Sequence, residues 1–116
     1  MAPELVQAAE AFSGHDFDAA FPMLADDVEW DNLGGPQYAG RDAVIAACRE
    51  AAEHLAEVKT TFHRSRTIDG GDHVVVDSLA EYVDGDGEST TVGSCDIYAV
   101  ADGLITAITS YNVEVG

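Results

Sequence analysis

The sequence predicts an α+β domain, and three observations carry that prediction. Apolar residues before position 57 recur mostly at spacings of three and four. From residue 58 the chain is rich in Val, Ile, Thr, Tyr and Phe. Short Asp/Gly clusters cut this second part into four runs of strand length. One strand-like run interrupts the helical part, so the predicted order is α-α-β-α-β-β-β-β. Helices that precede an antiparallel meander define the α+β class. With 116 residues, a single domain spanning 1–116 is expected.

Pro3 suits a first helical position and Glu4 the positive end of the helix dipole. Leu5, Ala8, Ala9 and Phe12 follow at helical spacing, and Gly14 can stop the helix. Asp16 is a suitable N-cap for a short second helix with an apolar face of Phe17, Ala20, Phe21 and Leu24. Pro22 should kink or split it. Val28, Trp30 and Asn32 alternate with Glu29 and Asp31 as a short strand, and Leu33-Gly34-Gly35-Pro36 reads as a loop. The longest helix is predicted over about 41–56, with a stripe of Val44, Cys48, Ala52 and Leu55. Strands are then predicted at 58–68, 73–83, 90–101 and 104–115. The turns between them are Asp69-Gly70-Gly71-Asp72, Asp84-Gly85-Asp86-Gly87 and Asp102-Gly103.

Charge narrows the function classes. There are 22 Asp+Glu against 5 Lys+Arg, a formal net charge of −17. Such a surface repels phosphate backbones and anionic membranes, so neither nucleic acid nor membrane is an expected partner. Cys48 falls mid-helix and Cys95 mid-strand, as buried free thiols do. No apolar run is long enough to span a membrane. Met1-Ala2-Pro3-Glu4 has neither a basic nor an apolar leader region, so a cytoplasmic location is expected.

Three stretches resemble the SnoaL-like branch of the NTF2-like superfamily. They are Leu24-Ala25-Asp26-Asp27-Val28-Glu29-Trp30, Tyr38-Ala39-Gly40-Arg41-Asp42-Ala43-Val44, and Asp96-Ile97-Tyr98-Ala99-Val100-Ala101-Asp102-Gly103-Leu104-Ile105. With the element order, the resemblance covers about residues 4–114. It implies a cone in which a curved antiparallel sheet wraps the helices around a deep, mostly apolar pocket. It also implies a homodimer paired through the sheet. It does not imply one reaction, because this fold hosts isomerases, cyclases, epoxide hydrolases, dehydratases and binding domains.

Three catalytic patterns of the family are only partly matched. Ketosteroid isomerase, itself a standard example of a protonated carboxylic acid in an active site, resembles this chain at Asp96, the position of its neutral acid. Its base position falls on Asn32 and its tyrosine on Ala8. The resemblance to limonene-epoxide hydrolase gives Asn32 as a water-orienting amide, with Trp30 in place of a tyrosine. The charged relay of that enzyme falls on Ser78, Ala80 and Ser110. The aspartate of the polyketide cyclase also falls near Ser110.

Strand alternation gives an independent estimate of the pocket lining. If Asp96 points inward, so do Val92 and Ser94, with Val76, Ser78, Ala80 and Tyr82 on the preceding strand and Ile108, Ser110 and Asn112 on the last. These apolar walls, hydroxyls, amides and one carboxylate suit a neutral organic ligand. Asp96 is the candidate acid, since burial without a cation raises a carboxyl pKa. The alternative is that it accepts hydrogen bonds from hydroxyls or an arginine and only fixes the fold. Asn32 is a candidate contact with a competing role in the following turn. Trp30 is a core residue that can also stack on a flat ligand.

Among the tyrosines, Tyr82 alone is assigned to the inner face, and Tyr38 is a candidate gate at the mouth. His15 and His73 are read as solvated turn residues. His63 reaches the pocket only if its strand's parity allows. No pair of histidines has metal-ligand spacing, and no cofactor is implied. Arg64 and Arg66 are expected in ion pairs. Asp84-Gly85-Asp86-Gly87-Glu88 imitates half a calcium loop, but the twelfth position is Cys95, so a hairpin turn is the better reading. The expected function is binding of an apolar organic molecule, with Asp96 as acid or acid/base in isomerisation, cyclisation, dehydration or hydrolysis. The rival reading is a non-catalytic ligand- or partner-binding domain.

Overall fold

Helix α1 spans Pro3–Ser13 in a computed structural model that describes residues 1–116. It opens on proline and buries Leu5, Ala8, Ala9, Phe12 and Ser13. Its end differs from the expected stop. Gly14 is the C-cap, but at φ −84° it stays in ordinary backbone space. The left-handed residue is His15, at φ 71°. The His15 amide donates to the Phe12 carbonyl at 3.1 Å and the Asp16 amide to Ala11 at 2.8 Å, which closes the helix in a Schellman turn.

Helix α2 is Phe17–Ala20, and Pro22 converts the chain to a 3-10 turn over Phe21–Met23. The chain then becomes extended. Strand β1 therefore begins at Leu24, not at Val28, and runs to Asn32. Leu24, expected on a helical face, instead pairs with Ile105. The register slips between Leu24 and Glu29. That slip hides the first half of the strand from an alternation test.

A short strand β2, Gln37–Ala39, follows the expected loop and is absent from the predicted element order, and Trp30 pairs with Tyr38. Helix α3, Arg41–Leu55, follows Gly40 at φ 92°, a backbone position suited to glycine. Its inward stripe is Val44, Cys48, Ala51 and Leu55; the expected Ala52 is exposed and Ala51 replaces it. Cys48 is fully buried, and burial with the nearby Asp18 charge pushes its thiol up to about 12.

Strands β3 (Lys59–Asp69), β4 (His73–Val83), β5 (Ser89–Ala101) and β6 (Leu104–Val115) form the expected meander. Asp102 and Gly103 both have positive φ, 55° and 78°, as a tight hairpin between β5 and β6 requires. The sheet order is β2-β1-β6-β5-β4-β3. The class is α+β as predicted, but the sheet is mixed rather than wholly antiparallel, because β1 lies parallel to β6. A parallel neighbour needs a long crossover, and everything from β2 to β5 supplies it.

Even-numbered residues of β4 and the middle of β5 face the helices. Val74, Val76, Ser78, Ala80, Asp96 and Tyr98 are all buried. Tyr98, assigned to the outside above, shares its parity with Asp96 and is 0% exposed. Cys95, expected to be buried, is only half-buried, since odd positions of β5 face outward. On that outer face Arg64 and Arg66 both pair with Asp77. No helix is long and apolar enough to cross a membrane.

Candidate functional site

Between the helices and the inner sheet face lies a cavity of about 370 Å³. Helix α1 and the turn after it contribute Phe12, Ser13 and His15; α3 contributes Ala51, His54 and Leu55. The sheet contributes all eight residues named from the sequence: Trp30, Asn32, Ser78, Tyr82, Ser94, Asp96, Ser110 and Asn112. Alternation brings them together because Ser78 pairs with Ser94, Ser94 with Asn112, and Asp96 with Ser110 across adjacent strands.

The carboxyl group of Asp96 sits at the convergence of two hydrogen-bonded chains. Ser13 Oγ donates to Asp96 Oδ2 at 2.7 Å, and the Ser13 oxygen lies 2.5 Å from the Tyr98 hydroxyl. A serine has one proton, so the order is Tyr98 to Ser13 to Asp96. On the other side Trp30 Nε1 donates to Ser110 Oγ at 3.0 Å. Ser110 is the cross-strand partner of Asp96.

Burial pushes the Asp96 pKa up. Hydrogen bonds from Ser110 and Ser13 and the charge of His15 oppose that rise without reversing it. The two arginines that were candidate partners are spent on Asp77, whose carboxyl their hydrogen bonds and charges hold low. Tyr98 is pushed well above its ordinary value by burial and by the Asp96 charge, so its phenol stays a proton donor.

Other candidates divide. Asn32 lines the cavity, and its Nδ2 also donates to the Pro36 carbonyl at 3.3 Å, so it holds the turn as well. Ser94 Oγ donates to Asn112 Oδ1 at 2.7 Å near the open end. Tyr38 does not line the cavity; its ring packs on Trp30, with centroids 5.6 Å apart. His63 is exposed and bonds Glu81 on the outer face, since a bulge between Phe62 and Arg64 shifts its strand's register. The Asp84 carboxylate accepts the amides of Asp86 and Glu88, which makes that segment a turn. No group of three or more His, Cys, Asp or Glu is placed to hold a metal ion.

Among the polar residues of the cavity wall, sequence reasoning missed Ser13, His15 and His54. Ser13 carried no signal beyond its place at the end of a helix. His15, read as a wet turn residue, is half-buried in the cavity wall. Its Nε2 lies 2.9 Å from the Tyr82 hydroxyl, and its ring packs near Phe17, Phe62 and Tyr82. Burial lowers its pKa, opposed by the Asp96 charge.

A family model described as a SnoaL-like domain matches residues 5–108. The chain belongs to the SnoaL-like family. Among solved structures, an NTF2-like protein of unknown function from Cytophaga hutchinsonii is 26% identical, with a TM-score of 0.81 over 94% of this chain and 99% of that one. A candidate polyketide cyclase from Xanthomonas campestris pv. campestris is 28% identical, with a TM-score of 0.72 over 92% and 86%. An LEH-like epoxide hydrolase from M. tuberculosis is 24% identical, with a TM-score of 0.69 over 95% and 83%, and shares the fold. No curated protein matches. The SnoaL-like cavity thus holds one carboxyl group, Asp96, and two histidines, His15 and His54, among apolar, hydroxyl and amide side chains. The positions compared above with a charged relay, Ser78, Ala80 and Ser110, are all buried.

Proposed function

We propose that this SnoaL-like protein binds a neutral, largely apolar organic molecule and transfers protons to and from it without a cofactor. Asp96 is the acid. The observation that carries this reading is a carboxyl group 9% exposed, held by Ser13, on a cavity wall whose other residues are mostly aromatic, aliphatic or hydroxyl-bearing. A buried carboxyl group whose pKa is raised holds its proton to higher pH and can protonate a carbonyl, hydroxyl or epoxide oxygen as charge develops there. Isomerisation, cyclisation, dehydration and hydrolysis all begin that way.

The single tryptophan, Trp30, lines the cavity and is a built-in reporter. Titration with cyclohexanone should change Trp30 fluorescence. Cyclohexanecarboxylate, of similar size but negative, should bind at least tenfold more weakly. Equal or tighter binding of the anion would overturn the reading. A second reading, ligand binding without turnover, is favoured by the uncharged Ser78 and Ser110 where relatives are compared at charged positions. It predicts the same fluorescence change and no proton exchange into the bound ketone. We also propose a C2 homodimer through the outer sheet face, where Tyr111 and Val113 are 46% and 61% exposed.

A further inference from the structure

Proton transfer needs an acceptor as well as a donor, and His63, the histidine that the sequence reading allowed into the pocket, lies exposed against Glu81. The geometry points to His15 as the proton acceptor of this site, a catalytic residue working opposite Asp96. This inference rests on the reading of Asp96 as a pocket acid and extends it to a carbonyl substrate that carries an ionisable C–H.

Position is the first support. His15 enters the cavity wall from the turn between α1 and α2, whereas Asp96 enters from β5. Each sits within the other's electrostatic reach. His15 also borders a smaller cleft of about 110 Å³ on the other side of the turn. His15 therefore lines both the ligand cavity and this smaller cleft.

Backbone conformation is the second. His15 holds the left-handed position of a Schellman turn, where glycine is the usual occupant and a Cβ is disfavoured. Gly14, the adjacent residue, is not used there. Non-glycine residues kept in such positions concentrate at functional sites.

Hydrogen bonding is the third. When Nε2–H donates to the Tyr82 oxygen, Nδ1 keeps its lone pair and the Tyr82 proton is free for another acceptor. Tyr82 thus acts as a positioning residue that holds the ring in place through Nε2. The charged or titratable groups around the imidazole are Tyr82 and Asp96 on the sheet and His54 on α3. Asp16, Asp18 and Arg49, with the buried thiol of Cys48, border the smaller cleft.

The step balances without a co-reactant. The C–H bond beside the carbonyl breaks, and its proton forms an N–H bond on His15. The electron pair forms the C=C bond of an enol, while the carbonyl oxygen takes the proton of Asp96. The products are a neutral enol, an imidazolium and a carboxylate, the last two attracting each other. Reversal at the same or a neighbouring carbon restores both residues.

Deuterium uptake at the carbons next to the carbonyl of cyclohexanone, followed by NMR in D2O, tests this. The wild-type protein should accelerate uptake, and His15→Gly should reduce that acceleration by about 10²–10⁴-fold. Millimolar imidazole should restore uptake to His15→Gly more than it speeds the wild type, because it fills the space left by the ring. His15→Asn, whose side chain tolerates left-handed backbone, serves if the glycine variant fails to fold. Tyr82→Phe should change the ¹⁵N signature of His15 Nε2. Uptake unchanged in His15→Gly but lost in Asp96→Asn overturns the assignment of His15 and leaves the pocket acid standing. Uptake unchanged in both variants, or absent from the wild type, overturns both.

Discussion

Ser13, the last residue of α1, and Asp96, in the middle of β5, are 83 positions apart and joined by a 2.7 Å hydrogen bond. The bond ties the helical layer to the sheet at the proposed acid. It also passes a proton donor, Tyr98, to the carboxyl through one hydroxyl. The site is therefore part of the packing, and changes to it are read in stability as well as in chemistry.

Ser13→Ala removes that link. It leaves the fully buried Tyr98 hydroxyl without its serine partner, at a cost of about 1–3 kcal/mol for an unsatisfied buried polar group. It also removes one of the hydrogen bonds that hold the Asp96 pKa down, so that pKa should rise further. Urea unfolding and a ¹³C carboxyl titration check the two outcomes. An unchanged or lower Asp96 pKa would contradict the assigned network.

Asp96→Asn tests the sign of the burial effect. The folded pKa of Asp96 lies above its ordinary value of 3.8, so the folded state holds the proton more tightly than the unfolded one. The stabilisation from that proton is complete below the unfolded pKa. It is lost as pH rises from there through the raised folded value. Asparagine cannot ionise and escapes that loss. The variant's stability relative to wild type should thus improve between pH 4 and pH 8. A relative loss over the same interval would show Asp96 to be held as a stabilised carboxylate.

Phe12 is the aromatic hub between the site and the core. It is 3% exposed and makes edge contacts with Phe17, Trp30 and Tyr98 at centroid distances of 5.3, 5.0 and 6.0 Å. Phe12→Ala should cost about 3–5 kcal/mol and enlarge the cavity. Thermal unfolding measures the first effect, and tighter binding of a bulkier ketone such as 2-decalone measures the second. A loss under 1 kcal/mol would mean that neighbours collapse into the space.

Local rules made much of this legible. Proline and glycine marked the helix breaks, and Asp/Gly clusters marked the hairpins. Period-two alternation placed Ser78, Tyr82, Ser94, Asp96, Ser110 and Asn112 on one cavity wall, and the family resemblance added Trp30 and Asn32. The failures also have local causes. The slip between Leu24 and Glu29 concealed half of β1, and a three-residue strand such as β2 gives too little pattern to detect. The parallel pairing of β1 with β6 is a tertiary fact that neither strand encodes alone. His15 was missed because its role depends on which residue of the Gly14-His15 pair takes the left-handed conformation, a difference of one position in where α1 ends.

The outer sheet face supports the last prediction. Register places Tyr111 beside Cys95 and Val113 beside Gly93, opposite in parity to the cavity residues Ser110 and Asn112. Val113 and Tyr111 are thus exposed apolar groups on a strand whose other face is committed to the site. Gly93 has no side chain to keep a second sheet at a distance. A two-fold contact here would place each patch on its own copy. It would also bring together two chains of formal charge −17. Much of that charge is solvent-exposed and is screened beyond about 8 Å at physiological ionic strength. Association should therefore strengthen with added salt, unlike an interface held by ion pairs. Val113→Glu places a charge at the centre of the patch and should yield monomer at micromolar protein while leaving ketone binding, read through Trp30, unchanged. Sedimentation at low and high salt measures this. A wild-type monomer under both conditions would rule out pairing through this face.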